Sequence, residues 1–207
     1  MEYQELDVDY VEELYQRQQD LQVEAQEIIH DLDIVARLGQ VGEVFQIGSL
    51  VSGLMVWRDI DFTIVCRERD ASAIFGAMIS ILSDERTIKV EYLNEFGAHG
   101  PSDAPEDERL YFVVRHETAA GHVWKLDFSF WFTMQGRGEI MYPHKLREQL
   151  NEETRLAILW LKDVWRRSPT YPYEVGGWEI YDAVLNHDVR TPERLRAYLI
   201  AHGYPVD

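Results

Sequence analysis

Two aspartates, Asp59 and Asp61, interrupt the apolar run "RDIDFTIVC", and a third, Asp127, interrupts "HVWKLDFSFWF". In an extended strand, side chains two apart share a face. Asp59 and Asp61 therefore stand together, roughly 6.5–7 Å apart, while Ile60, Phe62 and Ile64 turn the other way. The second run alternates in the same manner, with Trp124, Leu126, Phe128, Phe130 and Phe132 on one face and Lys125, Asp127, Ser129 and Trp131 on the other. If the two strands are neighbours, Asp127 comes within about 5 Å of the pair, the separation of adjacent strands. Carboxylates this close repel one another unless a cation holds them. Three oxygen ligands with no His or Cys among them suit Mg²⁺ or Mn²⁺, and two such ions about 3.5–4 Å apart can activate an attacking hydroxyl and steady a nucleotide's phosphates. Asp103, Asp107 and Glu117 compete for the third place, but they read as loop residues, whereas Asp127 lies among apolar neighbours.

Nine residues separate the first aspartate from a preceding Gly48-Ser49, read as the opening of a short helix after a strand. Such a junction offers backbone N–H groups, the positive end of a helix dipole and a hydroxyl to a phosphate. These are the parts of nucleotidyl transfer. Other chemistries lack theirs: there is no G-x-x-x-x-G-K-[ST] loop, the "GRG" at Gly136 lacks a third glycine, "HETAAGH" is too widely spaced for an H-E-x-x-H zinc pair, and no G-x-S-x-G elbow occurs.

The elements that must position these residues follow from periodicity and punctuation. Val8 to Leu38 has no Gly or Pro and sets apolar residues at helical spacing, which predicts one long or broken helix. Gly42 to Ile47 reads as a strand, Ser49 to Met55 as a short helix, Arg58 to Cys66 as a strand, Ala71 to Leu82 as a helix and Thr87 to Leu93 as a strand. Glu95 to Glu108, with two prolines and two glycines, reads as a surface loop. "RLYFVVRHE" and "HVWKLDFSFWF" around "TAAG" predict an antiparallel hairpin. Beyond "GRGEIMYPHK" the pattern turns helical: His144 to Arg167, Val175 to Leu185, and a last helix with Thr191 as N-cap, Pro192 in the first turn and Gly203 at the end. The reading is α+β: a small mixed or antiparallel sheet flanked by helices over residues 1–143, then a helical region over 144–207.

A chain of 207 residues, 46% hydrophobic, can bury a real core. Its net charge of −17, from 37 acidic against 20 basic residues, is opposite to what phosphate-lined nucleic acid requires, so long nucleic acid is not an expected partner. An acidic surface suits a cationic small molecule or a basic protein, or serves solubility alone. The single cysteine, Cys66, excludes an intrachain disulfide and a multi-cysteine zinc cage, and reads as inert packing. The N-terminus is acidic with no apolar signal core, and no apolar run reaches the roughly 18 residues of a membrane span, so a cytoplasmic location is expected. The acidic N-terminal helix could serve pairing, which makes a homodimer a further expectation.

Gly-Ser, a helical spacer, Asp-x-Asp and a distal in-strand Asp together resemble the DNA polymerase beta-like nucleotidyltransferase superfamily over Gly42 to Phe132. "RLAILWLKDVWRR" is similar to a helix of poly(A)-polymerase-like and oligoadenylate-synthetase-like members in which a Lys near a Trp approaches the triphosphate. The resemblance implies that Asp59, Asp61 and Asp127 are catalytic and bind metal, and that Gly48, Ser49, Lys162 and Arg155 contact the nucleotide; Arg155 and Lys162, seven apart, share a helix face. It implies a Mg²⁺- or Mn²⁺-dependent transfer of a nucleoside monophosphate from a triphosphate, ATP by expectation, to a hydroxyl on a small molecule or protein, releasing pyrophosphate. Arg58 departs from the pattern, since many members carry a small residue just before the first Asp. The rival expectation is a catalytically silent nucleotide-binding or antitoxin-like interaction module. Tyr171 and Tyr173 could stack on a base or pack as a lid.

Overall fold

Alternation decides the sheet. In the computed structural model, which describes residues 6–102 and 104–206, strands β1 (Gly42–Ile47), β2 (Asp59–Cys66), β3 (Thr87–Glu95), β4 (Arg109–Glu117) and β5 (Val123–Trp131) form one sheet in the order β1-β2-β5-β4-β3. Only β2 and β5 run parallel; every other neighbouring pair is antiparallel. On one face Ile60, Phe62, Ile64, Phe112, Trp124, Leu126, Phe128 and Phe130 are buried, and the Phe62 and Phe128 rings stack at 5.3 Å. Rings of this kind each contribute roughly 1.5–3 kcal/mol of apolar transfer. The opposite face carries the alternate residues and is where polar groups gather.

Helices cover the apolar face. In α1 (Val8–Asp31), residues 14, 18, 21, 25 and 28 are buried at three- and four-residue steps, one stripe of a 3.6-residue period that Leu32 continues just past the helix end. The long helix breaks at Asp33, whose backbone is left-handed (φ 51°), and α2 (Ile34–Leu38) resumes from there. Leu21, Ala25, Ile28 and Ile29 of α1, Leu32 just beyond it, Ile34 and Leu38 of α2, Leu50 of α3 (Gly48–Ser52), and Ile74, Met78 and Ile81 of α4 (Ala71–Leu82) join the sheet side chains in one core. Cys66 belongs to that core, where burial pushes its thiol up to about 12, as befits inert packing. The stretch between β3 and β4 holds two short 3-10 turns, Gly97–His99 and Pro105–Asp107. Asp107 therefore lies in a turn, Glu117 closes β4 instead of sitting in a loop, and Asp103 lies outside the described residues.

The helical part differs in detail from the expectation of unbroken helix over His144 to Arg167. A helix α5 (Gly138–Gln149) starts earlier, with Pro143 inside it, and α6 (Glu152–Trp165) begins anew. The break is made by Asn151, which accepts from the Thr154 amide at 2.8 Å while the Thr154 hydroxyl accepts from the Asn151 amide at 3.0 Å, a reciprocal cap. Then come α7 (Gly177–Asn186) and α8 (Pro192–Ala201), the latter capped by Thr191 and followed by Gly203 at φ 79°. Two compact units result: Leu21–Arg147, and the chain up to Asp20 together with Glu148 onward.

Within the second unit, Asp163 is a buried carboxylate held by Arg17, by the Tyr10 hydroxyl at 2.8 Å and by Arg166 at 2.9 Å. Burial alone would raise its pKa. The Tyr10 and Arg166 hydrogen bonds and the Arg17 charge outweigh burial and hold it below its ordinary value. Removing one partner from such a network costs about 3 kcal/mol, so Asp163→Asn is expected to lower stability by that amount at neutral pH. Because the folded group binds fewer protons than the unfolded one, the difference from the parent is fully present above the unfolded carboxylate value of about 3.9 and shrinks as pH falls below it. Melting curves of both proteins from pH 7 to pH 2.5 check this; a gap that stays constant to the acid end would assign the loss to packing.

Candidate active site

The polar face of the sheet assembles the three aspartates by register. Asp61 and Asp127 are direct partners across the parallel β2–β5 pair, and Asp59 stands opposite Lys125. One carboxylate oxygen from each of Asp59, Asp61 and Asp127 lies within 4.8 Å of the other two. The neighbour relation between the strands, conditional in the sequence, is thus met. Asp127 is buried, and its Oδ1 accepts no hydrogen bond from the protein. Such an acceptor is costly to leave dry, and it fits a cation ligand. The donor set is oxygen only, which fits Mg²⁺ or Mn²⁺.

Gly48 closes on this cluster from β1's end. Its φ of 70° is strained for any other residue, and a Cβ there would stand 2.6 Å from Asp61 Oδ2. Glycine is required here on both counts. Ser49 follows as the second residue of α3. Arg58, the departure from the family pattern, turns away from the aspartates as alternation demands, and its Nε donates to Glu24 of α1 at 3.2 Å.

Two residues that the pattern did not assign stand against Asp127. The Tyr111 hydroxyl of β4 donates to Asp127 Oδ2 at 2.5 Å, and the Lys125 ammonium lies 2.5 Å from the same oxygen and 3.4 Å from Asp59 Oδ1. Burial opposes the charge on Lys125, but Asp59 and then Asp127 outweigh it and hold its pKa above the ordinary value. Burial first, and then the Asp127 charge and hydrogen bond, push the Tyr111 phenol well up, so it remains a donor at all working pH. The sequence held a signal for both, since Lys125 shares the Asp127 face of β5 and Tyr111 alternates with the apolar Leu110 and Phe112.

Beside the aspartates the same face opens into a cavity of about 220 Å³, lined among others by Asp61, Asp127, Thr63, Ser129, Tyr111 and Glu139. Its far wall is rigid. Arg109 donates to Ser129 Oγ at 3.0 Å and to Glu95 at 2.5 Å, lies 4.3 Å over the Tyr111 ring, and shares Trp131 with Arg137, whose guanidinium is 3.6 Å from the indole centre. Three hydroxyls and three carboxylates against one spoken-for guanidinium make the cavity hydrogen-bonding and acidic.

The remaining sequence candidates lie in the helical unit, on α6. Lys162 is 2% exposed and its ammonium donates to the Tyr181 hydroxyl at 3.2 Å; Arg155 lies two turns earlier on the helix. Among the described residues no helix is long and apolar enough to cross a membrane.

No family model matches the chain, and no curated protein matches it by sequence. Solved structures do match by fold. A structure described as the Cid1 poly(U) polymerase has a TM-score of 0.61 at 16% identity, covering 87% of this chain and 54% of that one. Cid1 in complex with its short product ApU gives 0.60 at 15%, covering 88% and 56%. A cytoplasmic RNA terminal U-transferase gives 0.58 at 15%, covering 87% and 54%. This chain therefore has the fold of the polymerase beta-like nucleotidyltransferases, and it spans about half the length of these matching chains.

Proposed function

We propose that this chain transfers a nucleoside monophosphate from a nucleoside triphosphate to an acceptor hydroxyl, with release of pyrophosphate. The observation that supports it is the convergence of Asp59, Asp61 and Asp127 to within 4.8 Å, on a nucleotidyltransferase fold. A divalent ion held by these carboxylates would supply activation of the hydroxyl and neutralisation of phosphate charge. Asp59 and Asp61 would hold the ions that neutralise the nucleotide, and Asp127 would share in holding the one that activates the acceptor. The acceptor oxygen attacks the α-phosphorus, the bond to pyrophosphate breaks, and the hydroxyl proton passes to the Asp127 carboxylate. The Gly48 backbone and the Ser49 hydroxyl hold the β and γ phosphates.

The acceptor takes the cavity beside Asp127, where Thr63, Ser129 and Tyr111 meet hydroxyls and Glu139 favours a positive group. A cationic small molecule or a basic protein segment fits that wall and the net charge of −17 better than RNA does. ATP is the nucleotide proposed, although Cid1 structures are described with a UTP analogue, MgGTP and MgATP. Magnesium-dependent pyrophosphate release, measured with each of the four triphosphates against amine-bearing polyols, basic peptides and a short RNA, tests the reading. Nucleotide binding with no turnover on any acceptor would favour a silent module instead, a reading to which the Lys125 ammonium among the carboxylates lends weight.

Lys162 and Arg155 keep, as part of this proposal, a role in neutralising the triphosphate. Lys162→Met retains helix propensity and most of the stem while deleting the charge. It is expected to lower turnover at least about tenfold beyond any change in stability, read from saturating kinetics beside a thermal melt. Parent-like turnover in a folded Lys162→Met protein would remove the helix from the mechanism.

A further inference from the structure

The strand at the far edge of the sheet from β1 is exposed along nearly its whole length. Among the described residues no strand pairs with the outer side of β3, and its row of backbone N–H and C=O groups is a template for another strand. Exposed edges are ordinarily blunted, and this one has a bulge at Ile88 and a lysine at 89. It nonetheless shows apolar surface: Ile88 is 54% exposed, Val90 40% and Tyr92 41%. Val90 and Tyr92 are partners of the core residues Val114 and Phe112, so they point to the helix side. There Phe75 of α4 meets the Tyr92 ring at 4.9 Å and Ile79, one turn on, is 61% exposed. A contiguous apolar patch thus borders an open strand edge.

The sequence of the edge selects its occupant. We infer that β3 pairs antiparallel with β3 of a second copy of this chain, about a two-fold axis at Val90. An axis perpendicular to the sheet keeps each face on its own side, so only residues of equal parity meet. An axis at Lys89 or at Glu91 sets like charges opposite each other. An axis at Tyr92 sets Lys89 opposite Glu95, which Arg109 already holds at 2.5 Å. An axis at Val90 sets Lys89 opposite the partner's Glu91 twice and Val90 opposite itself, clear of the bulge at Ile88. Lys89 and Glu91 pair with each other within one strand, but at 61% and 46% exposed that contact is weak and exchanges readily for the cross-strand one, whereas Glu95 is only 17% exposed against Arg109. The two-fold interface uses up the edge on both molecules and closes the assembly at two. This surface is separate from the carboxylate site and does not depend on its chemistry; it also differs from the N-terminal helix that the sequence offered for pairing.

Sedimentation velocity on the full chain over a range of concentrations tests the inference, with thermal melts to show that each variant is folded. The parent is expected to dimerise. Lys89→Glu or Glu91→Lys alone places like charges opposite at two points and is expected to weaken association roughly tenfold. The double exchange, Lys89→Glu with Glu91→Lys, restores both pairs and is expected to restore the dimer. A parent that stays monomeric to about 100 μM on the association scale of ordinary interfaces overturns the inference. So does a dimer indifferent to the single changes, or one that the double exchange fails to rescue, since either places the interface elsewhere.

Discussion

Asp61→Asn is expected to abolish pyrophosphate release while leaving the melting temperature in metal-free buffer unchanged or raised. The carboxylate faces Asp127 directly across the β2–β5 register, so removing its charge relieves repulsion inside the cluster. On the metal-site reading the same change removes a ligand, and several kcal/mol of transition-state stabilisation with it, which corresponds to a loss of about a thousandfold. Asp59→Asn should lose turnover to the same degree but not escape a stability cost, because the Lys125 ammonium lies 3.4 Å from Asp59 Oδ1 and loses that partner. The two variants are therefore separable: equal chemistry, unequal melting. Turnover and a melt in EDTA for both decide the matter. A large drop in melting temperature for Asp61→Asn would make the pair a structural device, and the metal-site reading would not survive it.

How far the site could be read without coordinates depended on which contacts are local. Alternation within β2 and within β5 sets each aspartate on its face with no knowledge of the rest, and burial follows that alternation residue by residue. That the two strands are parallel neighbours is a long-range fact, since the chain between them must supply α4, β3 and β4 first. Tyr111 and Arg109 were legible as members of a strand, but their approach to Asp127 and Ser129 depends on the β4–β5 register, which a four-residue "TAAG" connection does not fix. The break before α6 was in plain view as an Asn151 to Thr154 cap, masked by helix formers on both sides. The boundary set after Pro143, where the pattern turns helical, falls inside α5, which runs through the proline although proline disfavours helix interiors. The edge partner of β3 leaves its mark only as charge order along the strand, which has no meaning until the strand is known to be an edge.

Lys125→Met carries the second large effect, and it separates the two roles this ammonium can play. With Lys125 present, the site sets one ammonium among the three carboxylates Asp59, Asp61 and Asp127 and stays formally negative. Its side chain is 18% exposed and its pKa is held above the ordinary value, so the charge persists through the neutral range. Methionine keeps the stem that packs on the sheet and deletes a cation that the protein itself sets against both Asp59 and Asp127. In metal-free buffer the variant is expected to lose about 2 kcal/mol, less than for a fully buried pair because the cluster is part solvated. Millimolar Mg²⁺ should return that loss, since a divalent ion then does what the ammonium did. Mn²⁺ should bind the variant roughly tenfold more tightly, because a like charge beside the ligands has gone. Thermal melts with and without Mg²⁺, and Mn²⁺ titration followed by electron paramagnetic resonance, read both quantities without any need for turnover. If stability and Mn²⁺ affinity are unchanged but triphosphate binds more weakly, Lys125 serves the nucleotide and stays clear of the metal positions, and the internal counter-ion is the wrong description of it.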